Sequence, residues 1–342
     1  MDIDAVKISL PLKKTFAVAK GAADVKTNVV TIMNNRYSGE ASGSVYYGPS
    51  IELIENDISR GIEYLKSLKE IDVATLKAIN EYDIHPIARS ALSGMVLNFL
   101  SGESQRYPWE ILSIGAPVGI KSSFTVSIDT MDRMIAAVKG SDHTIIKIKM
   151  GNEDDVLLLE PLSAITGHEI RVDANGGWNC EKAEEMIFHL SNLGVRIIEQ
   201  PTEIGSIKEW KHLKGKNDQV ELIVDEGLCS IRDYDSYAGY VDGVNIKMEK
   251  SGGITEAVAI AKKARTDKKK VMLGCMVESS VGIAQSVYMC ALADYHDLDG
   301  PLLLENDIAS GITYQKELIH VDREIIGGPK LRRDIFNRYI TT

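Results

Sequence analysis

The sequence predicts a (β/α) barrel that is preceded by an α+β module. Over the first third of the chain, strand-like patterns come first and helical patterns follow, as is typical of an α+β unit. From about residue 119 onwards, short apolar runs alternate with helical patterns, as in a barrel of parallel strands. Five of these runs end in a lysine or a carboxylate, once in about 25 residues. Because the carboxyl ends of barrel strands meet around one mouth, these charged side chains are expected to share a pocket.

The α+β module is predicted at residues 1–118. Its three strand-like segments come first, and the Asn34-Asn35 dipeptide between the second and the third predicts a hairpin turn. Helical periodicity follows over residues 51–103. The strand-like segments are residues 6–12, 28–33 and 40–45.

The barrel is predicted at residues 119–310. Its first strand is expected at residues 124–127, and a weaker candidate at residues 302–305 would complete a set of eight. The tail, residues 311–342, has turn residues and short strand-like runs but no barrel unit, so it is expected to return to the first module. The six intervening strands are expected to end near residues 149, 173, 199, 225, 247 and 275.

The composition favours a small molecule as the partner. The formal net charge is −10 at pH 7, whereas nucleic acid and anionic membrane surfaces attract basic proteins. No apolar stretch approaches the roughly 18 residues of a membrane span, and no secretory leader opens the chain, so a cytoplasmic protein is expected. The four cysteines lack the spacing of a disulfide framework or a zinc site.

Three carboxylates predict a metal site. Asp173, Glu199 and Asp225 each close a short apolar run, and 26 residues separate each from the next. They offer hard oxygen donors without a histidine or a thiolate, which suits Mg²⁺ or Mn²⁺ rather than Zn²⁺. One carboxylate at a strand end could equally cap a helix or lie on the surface. Three on consecutive strands favour a metal site.

Three lysines predict an acid/base pair. Lys147 and Lys149 are two positions apart, so on a strand both ammonium groups lie on the same face. If that face points inward, each raises the cost of charging the other, so at least one should have a depressed pKa and act as a base. Lysine alternating with isoleucine also fits a half-exposed strand. Lys247 favours the inward interpretation because it ends another strand, on the far side of the proposed metal site.

These groups together predict a proton transfer at carbon. A proton α to a carboxylate or an amide is a very weak acid, so the charge of the enediolate must be stabilised where it forms, and a divalent cation on the substrate carboxylate can do this. One lysine would remove the proton from one face and the other would return it to the opposite face. The expected outcome is epimerisation or racemisation.

The charged strand ends belong to five motifs, which are Lys147-Ile148-Lys149, Asp173-Ala174-Asn175, Glu199-Gln200-Pro201, Asp225-Glu226-Gly227 and Asn245-Ile246-Lys247. In this order they resemble the enolase superfamily, specifically its muconate-lactonizing-enzyme subgroup, over nearly the whole chain. The resemblance implies an α/β fold in which an α+β capping domain precedes a modified (β/α)₇β barrel. It also implies one Mg²⁺ per subunit on the three carboxylates, with Mn²⁺ as an alternative. It makes Lys149 and Lys247 the acid/base pair and Lys147 a stabiliser of the enolate.

One feature supports the choice of subgroup, and another departs from the pattern of the relatives. The seventh strand, residues 271–276, lacks the catalytic histidine of the mandelate-racemase subgroup, which argues against an acid-sugar dehydratase. Glycine stands at position 227, where many relatives have serine. Because relatives are often homo-oligomers, a homo-oligomer is also expected by resemblance.

Asp297 and Asp299 resemble the Asp-x-Asp element of the dipeptide epimerases, in which both carboxylates bind the substrate's α-ammonium group. Two like charges in a closed pocket are costly unless a cation lies between them. The alternative is a polar loop with solvated aspartates before the last strand.

The resemblance therefore implies an isomerase, a Mg²⁺-dependent L-dipeptide epimerase. It would invert the Cα of the C-terminal residue by two-base 1,1-proton transfer through a metal-stabilised enediolate. Two alternatives remain. One is a lyase of the same subgroup, of the o-succinylbenzoate synthase or muconate cycloisomerase type, and the other is a non-catalytic metal-binding barrel.

Substrate specificity is expected from a capping-domain loop near residue 20. Lys20 falls where glutamate-handling relatives carry a cation, which would favour conversion of L-Ala-L-Glu to L-Ala-D-Glu, and a surface lysine is the alternative. Thr125, near the end of the first barrel strand, and three residues after the seventh strand occupy positions that touch substrate in relatives. Apolar packing accounts for those three almost as well. They are Cys275, Met276 and Val277.

Overall fold

The chain begins with a three-stranded antiparallel sheet. A computed structural model describes residues 1–18, 21–43, 48–165 and 167–341. The three strands pair in sequence order. They are β1 (Ile3–Val18), β2 (Gly21–Met33) and β3 (Tyr37–Ser42).

The turn between β2 and β3 confirms the predicted hairpin. Met33 pairs with Tyr37, so two strands meet across a short turn. Asn34 and Asn35 have φ angles of 52° and 54°, in the left-handed region that asparagine tolerates better than most residues.

Helices follow the sheet and cover one of its faces. The helix over residues 86–104 packs closely on β3, where a Cβ on Gly39 would lie 1.9 Å from the carbonyl oxygen of Ala91, so only glycine allows this approach. Apolar side chains such as Ile54 and Leu92 fill the space between the layers. The helices are α1 (Ile51–Ser67), α2 (Val73–Glu81), α3 (Pro86–Ser104) and α4 (Pro108–Ile111).

Eight parallel strands then form a barrel in strict sequence order. The barrel closes where Ser122 bridges to His296 and the amide of Ser123 donates to the carbonyl of His296 at 3.0 Å. After the short β4 (Ile120–Lys121), the barrel strands are β5 (Phe124–Val126), β6 (Ile145–Lys149), β7 (Glu169–Asp173), β8 (Ile197–Glu199), β9 (Glu221–Val224), β10 (Gly243–Ile246), β11 (Lys270–Gly274) and β12 (Tyr295–Asp297).

Helices surround the barrel and bury the outward-facing aliphatic residues of the strands. Their lengths vary from one turn to nearly four, and two short 3₁₀ segments, Glu153–Leu158 and Cys290–Leu292, interrupt the pattern. The α-helices are α5 (Met131–Gly140), α6 (Leu159–Ser163), α7 (Cys180–Asn192), α8 (Ile207–Leu213), α9 (Ile231–Tyr237), α10 (Met248–Ser251), α11 (Ile254–Thr266), α12 (Ser280–Tyr288) and α13 (Gly300–Leu303).

The prediction of the last barrel strand at residues 302–305 is wrong. The eighth strand is β12, which pairs with β11 through Met272 and Tyr295. Residues 300–303 form α13 instead, where Pro301 occupies the first turn, as proline does at helix starts. Asp297 is therefore the last residue of a barrel strand and not part of a loop before one.

The tail contacts both parts of the chain. The hairpin formed by β14 (Ile312–Gln315) and β15 (Leu318–Val321) pairs with β4, outside the barrel sheet. Phe336 of the last helix packs with Ile8 and Leu10 of β1. The division at residues 118 and 310 stays a prediction. In the described part of the chain, no helix is long and apolar enough to cross a membrane. The tail elements are β13 (Ala309–Ser310), β14 (Ile312–Gln315), β15 (Leu318–Val321), β16 (Lys330–Leu331) and α14 (Arg333–Tyr339).

Candidate active site

Strand register brings the charged residues to one end of the barrel. Lys149 pairs with Asp173, and Asp173 pairs with Glu199, so the three share one level. Lys149 ends β6 and Lys247 follows β10, four strands away in a ring of eight, so the two lysines lie on opposite walls. Glu199 on β8 and Asp297 on β12 are opposite in the same sense. The line that joins the two lysines therefore crosses the line that joins these two carboxylates at the barrel mouth.

Asp173, Glu199 and Asp225 converge, as their spacing predicts. One carboxylate oxygen from each lies within 4.8 Å of the others, and all three side chains are buried. Burial and the charge of Asp173 raise the pKa of Glu199 to about 8. Burial also opposes ionisation of Asp173 and Asp225, but adjacent lysines keep the pKa of each below its usual range. Closely spaced buried carboxylates of this kind require a cation among them.

Lys147 supplies one such cation. Its ammonium nitrogen lies 2.9 Å from Asp173, 2.7 Å from Glu199 and 2.7 Å from Asp297. The side chain is 1% exposed, and burial alone would lower its pKa, but the three carboxylates outweigh burial and raise the pKa well above its ordinary value. Repulsion between Lys147 and Lys149 therefore does not depress the pKa of Lys147.

Lys149 and Lys247 both face the barrel interior and contact the carboxylates. The Lys149 nitrogen lies 2.6 Å from Asp173, and the Lys247 nitrogen lies 2.6 Å from Asp225. A further lysine, Lys250 on α10, contacts Asp225 at 2.5 Å from behind. Burial would lower the pKa of Lys247, but Asp225 and neighbouring acids raise it well above its ordinary value.

Asp297 and Asp299 lie in the same site. Ser123 donates its hydroxyl to Asp297 at 2.7 Å, and the amide of Thr125 donates to Asp299 at 2.6 Å. Burial and the charge of Asp297 raise the pKa of Asp299 to about 6. Both carboxylates are buried, so the alternative of solvated loop aspartates is wrong.

A cavity of about 150 Å³ lies between the barrel mouth and the first sheet. Eight of the predicted site residues line it, whereas Lys20 lies outside the described residues. Further walls come from β1 and β2, including Leu12, Phe16 and Lys26. The predicted residues that line the cavity are Thr125, Lys149, Lys247, Cys275, Met276, Val277, Asp297 and Asp299.

Several residues of the site were not predicted. Asn175 donates its amide to Glu226 at 2.9 Å, and both line the cavity. The amide of Asn245 donates to Glu199 at 2.8 Å. Asn175, Glu226 and Asn245 stand inside the charged motifs, which is the signal that could have identified them. Lys26 in the middle of β2 carries no such signal, because only the packing of the two sheets brings it to the cavity.

The three carboxylates of Asp173, Glu199 and Asp225 fit a divalent metal ion. They are oxygen donors from three consecutive strands, close enough to share one ion and shielded from water. Hydrogen bonds from neighbours such as Asn245 orient the carboxylates, as is common around metal ligands. Hard oxygen donors of this kind favour Mg²⁺ or Mn²⁺.

Comparisons with known proteins agree with this geometry. Residues 129–320 match the enolase C-terminal domain-like family. The chain is 31% identical over 322 residues to an L-Ala-D/L-amino acid epimerase of a Maribacter species, covering 91% of this chain and 94% of that protein. It is 33% identical over 284 residues to a hydrophobic dipeptide epimerase of a Flavobacteria bacterium, covering 80% and 79%.

A solved structure supports the fold. The dipeptide epimerase of Cytophaga hutchinsonii, complexed with Mg and the dipeptide D-Ala-L-Val, superposes with a TM-score of 0.89. The superposition covers 99% of this chain and 98% of that one, at 23% identity. The chain thus belongs to the enolase superfamily and is an isomerase that acts on amino acid derivatives.

Proposed function

We propose that this protein is a Mg²⁺-dependent L-dipeptide epimerase that inverts the Cα of the C-terminal residue. The observation that carries the proposal is that two opposed lysines and two opposed carboxylates surround the barrel mouth. Lys149 and Lys247 lie on opposite walls, and Glu199 and Asp297 lie on the other pair of walls. The names of the relatives, which include epimerases of amino acid and dipeptide substrates, support the same reaction class.

Asp173, Glu199 and Asp225 would hold the metal ion. When bound, Mg²⁺, or Mn²⁺ in its place, supplies the positive charge towards which negative charge on the substrate carboxylate develops. The amide of Asn245 holds Glu199 in place, and Lys250 holds Asp225. These neighbours keep the carboxylates in position before the substrate arrives.

A dipeptide would span the site from the metal carboxylates to Asp297 and Asp299. Its C-terminal carboxylate would face the metal site formed by Asp173, Glu199 and Asp225. Its α-ammonium group would lie between Asp297 and Asp299 and neutralise their mutual repulsion. The Cα of the second residue would then lie between Lys149 and Lys247.

The two lysines would act on opposite faces of the Cα, one as the base and the other as the acid. The neutral form of one lysine removes the proton from one face while the ammonium form of the other donates a proton to the opposite face. Lys147, whose ammonium group contacts Asp173, Glu199 and Asp297, would offer a fixed positive charge beside the substrate carboxylate. Thr125, Cys275, Met276 and Val277 would form the wall around the substrate.

For the second residue we propose an acidic side chain, as in L-Ala-L-Glu converted to L-Ala-D-Glu. Lys20 is the cation expected from the sequence, and Lys26, which lines the cavity from β2, is a second candidate cation. The small residues Gly21, Ala22 and Ala23 also line the cavity and would leave space for the acidic side chain.

Deuterium uptake from D₂O tests the function. The protein is incubated with Mg²⁺ and a library of L-Ala-L-X dipeptides, and α-deuterium incorporation is measured by mass spectrometry. Uptake that is strongest with acidic X is expected, and uptake only with apolar or basic X would retain the epimerase and reject the acidic preference. If no dipeptide takes up deuterium, the epimerase is rejected. Turnover of a substrate without an amine, unaffected by Asp297→Asn, would instead identify the lyase.

A further inference from the structure

The residue between the two aspartates is held from both sides. The backbone amide of Leu298 donates to the hydroxyl of Ser122 at 2.8 Å. Its carbonyl accepts from the hydroxyl of Tyr314 at 2.7 Å. Ser122 precedes the first barrel strand, whereas Tyr314 belongs to β14 in the tail, so two distant parts of the chain meet at this one residue.

These two hydrogen bonds constrain the backbone that joins the two aspartates. The amide of Leu298 lies in the peptide plane that follows Asp297, and its carbonyl lies in the plane that precedes Asp299. Rotation of either plane would turn the Cα–Cβ bond of one aspartate relative to that of the other, because the backbone dihedral angles between these planes relate the two Cα–Cβ bonds. Each plane is held by one side-chain hydroxyl, and the carboxylates beyond are held by the Ser123 hydroxyl and the Thr125 amide, so the pair is ordered before any ligand binds.

Tyr314 is suited to this role because it remains a hydrogen-bond donor. Burial, together with nearby acidic groups such as Asp299, raises the pKa of its phenol well above the ordinary value. A phenol that stays protonated can only donate to a carbonyl oxygen, so this contact has one fixed polarity. The leucine side chain itself is fully buried in the hydrophobic core, which also anchors this residue.

We infer that Tyr314 and Ser122 are positioning residues for recognition of the substrate's α-ammonium group. This inference rests on the proposed function, in which Asp297 and Asp299 bind that group. Through the hydrogen bond of Tyr314 to Leu298, the tail hairpin contributes to the site, although none of its residues needs to touch the substrate. Preorganised acceptors bind a cation more tightly because the carboxylates do not have to be ordered at the moment of binding.

The test compares a ligand with its amine and a ligand without it. Dissociation constants of L-Ala-L-Glu and of N-propionyl-L-Glu, which lacks the α-amine, are measured by titration calorimetry in Mg²⁺ for the wild type and for Tyr314→Phe. The loss of one hydrogen bond should weaken L-Ala-L-Glu binding about five- to tenfold and leave the propionyl compound unchanged. In deuterium exchange, KM for L-Ala-L-Glu should rise by a similar factor while kcat stays within about twofold, as expected for uniform binding.

Matched variants separate positioning from folding. Tyr234→Phe also deletes a phenol hydroxyl, one that donates to Asp267 at 2.8 Å far from the site, and should leave both affinities at the wild-type values. Ser122→Ala should act in the same direction as Tyr314→Phe, and Ser122→Thr, which retains the hydroxyl, should restore the selectivity for the amine.

Two results with Tyr314→Phe would overturn the inference, and so would one with the wild type. One is a Tyr314→Phe protein that has the wild-type melting temperature and the wild-type selectivity for the amine. The other is equal weakening of both ligands, which would indicate a structural role alone. A wild-type protein without selectivity for the amine would also reject it. Failure of the proposed function has a different signature, because deuterium uptake would then be absent whatever the ligand affinities show.

Discussion

Charge balance, rather than the spacing of two lysines, determines the state of Lys147. The sequence pairs it with Lys149 and predicts mutual repulsion. In the folded chain it contacts Asp173, Glu199 and Asp297 within 2.9 Å, and these three come from three other strands. The sign of its pKa shift is therefore a property of the assembled barrel and cannot be obtained from one strand alone.

Lys149→Ala and Lys247→Ala should each greatly slow epimerisation but still exchange the α-proton of one of the two epimers. Because each lysine is proposed to face one side of the Cα, each variant should exchange the α-proton of one epimer only, and the two variants should prefer opposite epimers. Epimerisation should fall by at least about 10²-fold in each, the typical contribution of a general base. Proton NMR in D₂O with the L,L and L,D dipeptides measures this, with the exposed Lys211→Ala as control. Exchange of both epimers by both variants would refute the two-base assignment.

Glu199→Gln should separate metal binding from stability. Burial and Asp173 raise the pKa of Glu199 to about 8, so ionising it is costly without a metal, and the neutral isostere should change the metal-free melting temperature little or raise it. Mg²⁺ affinity should fall at least about tenfold, which corresponds to ~1.4 kcal/mol.

Calorimetry with Mg²⁺ and thermal melts in EDTA measure the two effects of Glu199→Gln. Glu226→Gln is the matched control, because Glu226 is another buried carboxyl, with a pKa raised to about 7, that lies outside the group of three. Its Mg²⁺ affinity should stay close to that of the wild type. Equal Mg²⁺ affinity in Glu199→Gln and the wild type would remove Glu199 from the proposed ligands.

The sequence predicts the site residues unevenly, for a physical reason. Asp173, Glu199 and Asp225 were predictable because each terminates an apolar run, and the fold brings such strand ends together. Lys26 and Tyr314 were not, because each reaches the site through packing between segments far apart in sequence. No local pattern encodes that packing.

At the scale of elements, seven of the eight barrel strands lie where the apolar runs predict them. The eighth was misplaced because β12 has only three residues, Tyr295–Asp297, and all three are polar or partly exposed. The apolar run that follows it, residues 302–304, belongs to a helix and its end instead. A short strand is identified by its pairing with β11, which the sequence does not display.

Gly227 has a local reason to be glycine. A Cβ at this position would lie 2.5 Å from the hydroxyl oxygen of Tyr237 on α9, and that hydroxyl accepts a hydrogen bond from the amide of Gly205 at 3.0 Å. Gly227→Ser should therefore destabilise the protein by about 2 kcal/mol, the usual cost of overpacking. Urea unfolding measures the change.

A double-mutant cycle tests the cause of the Gly227 effect. In a Tyr237→Leu background, Gly227→Ser should cost much less, because the colliding phenol is absent. Gly239→Ser is the control, since a Cβ there meets no atom within 4 Å. Additive effects of the two substitutions would show that Tyr237 is not the reason for glycine at position 227.

At the scale of the whole molecule, a buried carboxylate joins the first sheet to the barrel. Glu40 on β3 accepts hydrogen bonds from the amides of Ser279 and Gly282 at 3.1 Å, at the start of α12, and from the side-chain amide of Asn28 at 2.7 Å. The hydroxyl of Ser279 contacts it as well. Ser279 closely follows the cavity residues Cys275, Met276 and Val277, so this contact ties the cavity wall to the sheet that covers it.

The protonation of Glu40 should make stability depend on pH. Burial raises its pKa from 4.5 to about 7, despite the hydrogen bonds that oppose the shift. Between these values the unfolded chain loses this proton and the folded chain retains it, so the contribution of Glu40 to stability falls as pH rises from about 4.5 to about 7 and is constant above that range.

Glu40→Gln removes this titration and provides the test. Glutamine places an amide beside one of the donors, and this costs the same free energy at every pH. The informative quantity is therefore how the difference in the free energy of unfolding between variant and wild type changes with pH. Between pH 5 and pH 8 the wild type should lose on the order of 2 kcal/mol relative to Glu40→Gln. Urea unfolding at four pH values measures it, with the exposed Glu63→Gln on α1 as control. A difference that does not change with pH would mean that Glu40 is ionised in the folded protein throughout, so that its hydrogen bonds outweigh its burial.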